Sequence, residues 1–192
     1  MSILHTVTWL RHRYTGPWSR DAWPEATVME AGDVRISTIS LLGVVASHGT
    51  PCVRNAAAVV PGTGGVPSAS QFASVVVTRV LAVETLPDDS LAAWVDADLD
   101  RCSPVLSEAR IIGRPRVEMT LPVQLRPSVT TAAEVPVAAL PIDLHPGDLI
   151  AVPCRGATSL RDVRPSSRHR ARLSDDRIDH DRDEFPLGHC GR

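Results

Sequence analysis

The chain has 192 residues, 43% of them hydrophobic and 22% charged, which suits one soluble domain with appendages rather than two full domains. All 20 basic residues are arginine and 22 are acidic; the formal charge of −2 argues against nucleic acid as the main partner. No run of 18 apolar residues exists, and residues 1–10 lack the basic-then-apolar order of a signal peptide, so no membrane span and a cytoplasmic location are expected.

The apolar content is aliphatic. Aromatics make up 4% while valine alone occurs 23 times, and β-branched side chains suit a pleated surface. A chain without lysine, rich in Ala, Val, Arg, Pro and Gly, reads as the product of a GC-rich genome such as an actinomycete's.

In chain order, residues 28–45 hold one or two strands around Gly32-Asp33, and residues 37–47 have room for a short helix. The stretch 60–68 (VPGTGGVPS) is a loop long enough to move. Residues 74–84 (SVVVTRVLAVE) form a long β-rich run with Val75, Val77, Leu81 and Val83 on one face. Turn residues 86–90 (LPDDS) follow, and residues 91–99 are expected to pair back as an antiparallel hairpin. A second short helix is possible in 103–112.

The clearest strand signal is 117–126. Val117, Met119, Leu121, Val123 and Leu125 alternate with Glu118, Thr120, Pro122, Gln124 and Arg126, giving one apolar and one mostly polar face. Pro122 implies an edge or a bulge there, because proline cannot donate to a ladder. Residues 135–144 and 148–154 flank His145-Pro146-Gly147-Asp148, a type II turn signature, and read as another hairpin. The count is seven to nine strands. The predicted fold is all-β: a mostly antiparallel β-barrel of about eight strands with few short helices, since closure removes sticky edges. The barrel domain spans 1–163. An Arg/Asp-rich tail, 164–192, is too polar to order itself, with a turn or two of basic helix possible at 166–173.

Catalytic and metal motifs are missing from the sequence. There is no G-x-S-x-G, H-E-x-x-H or calcium loop, and Pro61-Gly-Thr-Gly-Gly65 lacks the Lys-Ser/Thr of a phosphate cradle. Cys52, Cys102, Cys154 and Cys190 lie 50, 52 and 36 residues apart, without C-x-x-C, so the first three read as small buried hydrophobes and Cys190 as an exposed thiol. Asp96, Asp98 and Asp100 would share a strand face, as a cation ligand row or, the favoured reading, a solvated acidic face. His5, His12, His48 and His145 have no partner at a spacing that forces proximity and read as surface or capping residues. No catalytic residue, metal or cofactor is therefore expected.

Barrels of about eight strands either fill with side chains or hold one small ligand. A wall of short aliphatic residues leaves room along the axis for a linear apolar ligand, although the same residues would equally pack a sandwich core. On the first reading the ligand touches Val75, Val77, Leu81, Val83, Trp94, Met119, Leu121 and Val123. Arg79, Glu84, Trp94 or Glu118 turned inward would favour catalysis over carriage.

The segments SVVVTRVLAVE, RVEMTLPVQLR and VPVAALPIDLHPGDLIAVPC, about a quarter of the chain, resemble the small barrel proteins of actinomycete polyketide and enediyne clusters, of the dynemicin type. That resemblance implies a dimeric eight-stranded barrel holding a polyene or fatty-acyl chain, as an accessory protein in biosynthesis. It brings no catalytic residue. The spirotetronate cyclases share the architecture, so a cofactor-free cyclase folding the same kind of chain is the alternative. Residues 181–186 (DRDEFP) resemble the core motif of NucA/NucB-type bacterial nucleases, a remote alternative covering six residues.

Overall fold

The computed structural model describes residues 18–115, 119–127 and 135–165. It is mostly β, with 49% of the described residues in strands and few helices. The expected tail beyond residue 165, with Cys190, the 166–173 segment and the DRDEFP motif, lies outside the described residues, as do His5, His12, Val117 and Glu118.

A turn of 3-10 helix, Arg20–Ala22, leads into a small three-stranded sheet of β1 (Thr27–Glu30), β2 (Asp33–Ile36) and β3 (Ile39–Ser40). The β1–β2 hairpin turns through Gly32, whose φ of +80° is open to glycine; a Cβ there would meet the Arg114 carbonyl oxygen at 3.2 Å. The Ser40 hydroxyl then accepts the Gly43 amide at 3.0 Å and caps α1 (Leu41–His48), the helix anticipated in 37–47.

The larger sheet is built on β5 (Pro67–Thr85), 19 residues long. Its first part lies between β4 (Cys52–Val59) and β11 (Leu149–Arg155); its last part pairs with β6 (Leu91–Val95) through the expected hairpin. Beyond β6 come β9 (Thr120–Pro127) and β10 (Val137–Pro141), while β7 (Ser103–Pro104) and β8 (Arg110–Ile112) line the far side of β11. The sheet curls into a half-barrel that does not close, and β6 pairs with β9 in parallel, so the barrel is open and its pairing mixed rather than plainly antiparallel.

Two apolar cores result, one on each side of β5. Inside the curl, Val76 and Val80 pack with Val95, Val123, Leu125, Leu140, Ile150 and Val152. On the other side, Val75 and Val77 pack with Trp23, Ile36 and Leu41 beneath the small sheet and α1. Each such side chain contributes about 1.5–3 kcal/mol by leaving water, which is why a strand with three consecutive valines belongs at the centre.

Three expectations are corrected. Residues 75, 77, 81 and 83 do not share one face: the pairing steps from Val80↔Val95 to Ala82↔Trp94, so Leu81 is an extra residue. This bulge reverses the alternation, turning Val83 onto the inner core with Val76 and leaving Leu81 47% exposed, away from Val75 and Val77. The 135–154 hairpin does not form either. The turn is present, with the Asp148 amide bonded to the His145 carbonyl, but Gly147 and Asp148 hook onto Val80 of β5, and β10 pairs with β9 instead. Segment 103–112 holds β7, a 3-10 turn at Leu106–Glu108 and β8 rather than a helix. Within the 60–68 stretch, Thr63 bonds Val60 and Val66, Asp21 accepts the Gly62 amide at 2.9 Å, and Pro67 and Ser68 already belong to β5.

The short helix α2 (Leu160–Val163) ends the described chain, closed by a Ser159–Asp162 capping box with Val163 buried in the inner core.

Candidate functional site

Among the expected ligand residues, Val123 is fully buried in the inner core, Val83 borders it, and Val75 and Val77 are fully buried in the outer one. Leu81 sits at the bulge. Leu121 and Met119 continue the Val123 face toward the start of β9, where they come out of the core with 36% and 60% of their surface exposed. Opposite them the β9–β10 ladder runs Val123↔Ala138 and Leu121↔Leu140, and the Ile142 amide donates to the Met119 carbonyl at 3.1 Å. Ile142 is 48% exposed. Met119, Leu121 and Ile142 thus form an apolar ledge continuous with the buried Val123, Ala138 and Leu140, at the open end of the curled sheet.

Pro122 lies opposite Ala139, in the part of β9 that precedes its pairing with β6, in keeping with the edge expected for it. The parallel register begins only at Leu91↔Val123.

Trp94 faces outward, away from the inner core. Its indole N–H donates to Glu84 Oε2 at 3.2 Å, and the Arg126 guanidinium lies 5.8 Å from its ring centroid. Arg126 also donates to Gln124 Oε1 at 2.8 Å. Gln124 and Arg126 both sit on the polar face of the 117–126 alternation, but only the parallel pairing Trp94↔Arg126 brings them beside the tryptophan. Glu84 and Trp94 are therefore not turned into a cavity.

Two carboxylate networks lie elsewhere. Asp96 accepts the Thr50 hydroxyl at 2.5 Å, the Thr78 hydroxyl at 2.8 Å and the Arg79 amide at 2.8 Å, and Arg79 Nε reaches Thr50 at 3.4 Å. Burial first, and the Asp96 charge second, push the nearby Cys52 thiol above its usual value. Asp98 instead accepts the Asp100 amide, while Ala97 and Leu99 between the aspartates turn into the inner core; no cluster fit to hold a metal ion occurs among the described residues. In the second network, Arg114 donates to Asp148 at 2.9 and 3.0 Å and to Asp143 at 2.7 and 3.1 Å. These bonds raise the arginine pKa further and hold Asp143 below the usual carboxylate range. His145 Nε2 stands 3.4 Å from the buried Asp148, so this histidine does have a partner, whereas His48 bonds the Val44 carbonyl of its own helix. Both networks join structural elements.

A cavity of about 20 Å³, room for roughly one water, lies among Trp18, Arg20, Pro24, Thr27 and Val59 and shares no lining residue with the ledge.

No protein-family model matches the chain, and no curated protein matches it. Among solved structures, the arginine decarboxylase of Paramecium bursaria Chlorella virus is similar in part: with agmatine bound, 20% identity and a TM-score of 0.35; without it, 19% and 0.35. The likeness covers 48% of this chain and 29% and 28% of those chains, so this chain spans under a third of their length. It carries no argument about fold or activity.

Proposed function

We propose that this chain binds an extended apolar ligand, a polyene or fatty-acyl chain, on the ledge at the open end of its curled sheet rather than in a closed barrel. The observation that carries this reading is the emergence of Met119, Leu121 and Ile142 from the inner core, with 60%, 36% and 48% of their surface exposed on a face otherwise buried. A chain laid along that face gains about 0.8 kcal/mol for each methylene removed from water, offset by the cost of ordering it. The accessory role in natural-product biosynthesis rests on the resemblance of the strand segments to enediyne-cluster barrels. So does the homodimer, to which β10, at the end of the sheet order, contributes an edge suited to pairing.

Titration of a fluorescent polyene fatty acid tests the reading, with circular dichroism of each variant confirming the fold. Leu121→Arg and Met119→Arg are expected to weaken binding at least tenfold. Val137→Arg, an exposed position opposite Gln124 on the outer face, is expected to leave it unchanged. Equal binding by all four proteins, or none by the wild type, overturns it.

A further inference from the structure

Cys102 and Cys154 are 52 positions apart in sequence, yet the fold brings them together. Strand β7 pairs with β11 in the register Cys154↔Pro104 and Arg155↔Ser103. Cys102 immediately precedes β7 and packs against the core in which Cys154 is buried, which brings the two cysteines to the same end of the β7–β11 ladder. Both belong to the inner core: Cys154 is fully buried within it and Cys102, half-buried, packs against it. Cys102 Sγ points to the Leu99 carbonyl at 3.1 Å and Cys154 Sγ to that of Val152 at 3.7 Å. Cys52, by contrast, belongs to the other core.

We propose that Cys102 and Cys154 form a reversible disulfide, with Cys102 as the attacking thiol and Cys154 as the resolving one. The roles follow from access, since Cys102 alone of the two reaches the surface. The interaction between the two neighbouring thiols acts in the same direction, drawing Cys102 below its usual pKa, while that interaction and burial push Cys154 up. The oxidant is a low-molecular-weight disulfide such as oxidised glutathione. The Cys102 thiolate attacks one of its sulfurs and expels one glutathione thiolate, leaving a mixed disulfide. Cys154 then loses its proton, attacks the Cys102 sulfur and expels the second glutathione. Two electrons pass from the cysteine pair to the oxidant, and two protons end on the released thiols. The bond would fasten the short strand β7 to the end of β11 and close a loop holding β8, β9 and β10.

The test uses the full chain carrying Cys190→Ser, incubated with oxidised glutathione, alkylated and digested with trypsin. Because arginine is the only cleavable residue, and Arg126 precedes proline, the expected product is residues 102–110 joined to residues 117–155, lost on adding dithiothreitol. The oxidised protein should melt roughly 5–15 °C higher than the reduced one, and Cys102→Ser should abolish both linkage and shift. Cys52→Ser should abolish neither. Glutathione mixed disulfides without the linked peptides, or a melting shift that persists in Cys102→Ser, would overturn the proposal. Should Cys154→Ser fail to fold, the Cys102→Ser comparison decides it.

Discussion

Asp96 holds together parts of the chain that are distant in sequence: the Thr50 loop, the Thr78–Arg79 segment of β5 and the end of β6. Replacing it with alanine leaves three donors short of an acceptor. Asp96→Ala should therefore cost about 2–3 kcal/mol in urea unfolding, whereas Asp98→Ala, which loses one exposed turn contact, should stay within about 0.5 kcal/mol. The sequence shows all three aspartates at alternate positions, and the alternation outlasts β6, with Val95, Ala97 and Leu99 all in the inner core, yet only Asp96 enters a network. Nothing in the local pattern distinguishes it, because its partners come from residues 50 and 78–79. The Arg114 cluster carries a pH dependence. Asp143 titrates below its ordinary value of 3.8 because Arg114 bonds it, so its contribution is complete above that pH and disappears as pH falls through the lowered value. The stability gap between wild type and Arg114→Met should be widest near neutral pH and narrow below about pH 4, as urea midpoints taken across that range would show.

At the scale of elements, the bulge at Leu81 decides which side chains matter on β5. Val76→Ala empties space in a closed core and should cost about 2 kcal/mol, while Leu81→Ala should fall within about 0.5 kcal/mol despite removing more carbon. Denaturant midpoints of the two variants check this. A period of two identifies strands well: the 74–84 run, the 119–126 part of the second run, the hairpin between β5 and β6 and the turn at Gly32 are all readable from residues. Partners are not. A single extra residue in one strand leaves no composition signal, so the face assigned to Leu81 and Val83 reverses unseen. The parallel alignment of Leu91 with Val123 spans a long connection that no turn motif marks. At residues 145–148 the turn chemistry is right, but the strands on either side are claimed by β5 and β9, whose apolar faces cover more surface than a two-stranded hairpin would. The ledge was half visible: Met119 and Leu121 belong to the apolar alternation, while their emergence from the core depends on how far β6 and the curl extend.

For the whole molecule, the backbone of β5 is the best protected segment, flanked by β4 and β11 and covered on both faces. Amide exchange is expected to be slowest at residues 75–78, matching global unfolding, and faster by orders of magnitude in loop 60–66; peptide-level exchange measurements with comparable rates in both would contradict this. The two cores have the same residues as a dividing wall. Val75 and Val77 turn to one side, Val76 and Val80 to the other, and no linker separates the bodies they anchor. A void on one side of such a wall lets its backbone shift, and the opposite side then loses packing as well. The half-barrel and the small sheet with its helix should accordingly melt as one cooperative unit, in a single calorimetric transition, and the costs of Val76→Ala and Val77→Ala should fail to add by about 0.5 kcal/mol or more. The fate of both halves is thus tied to one strand: neither can be loosened for function without softening the other.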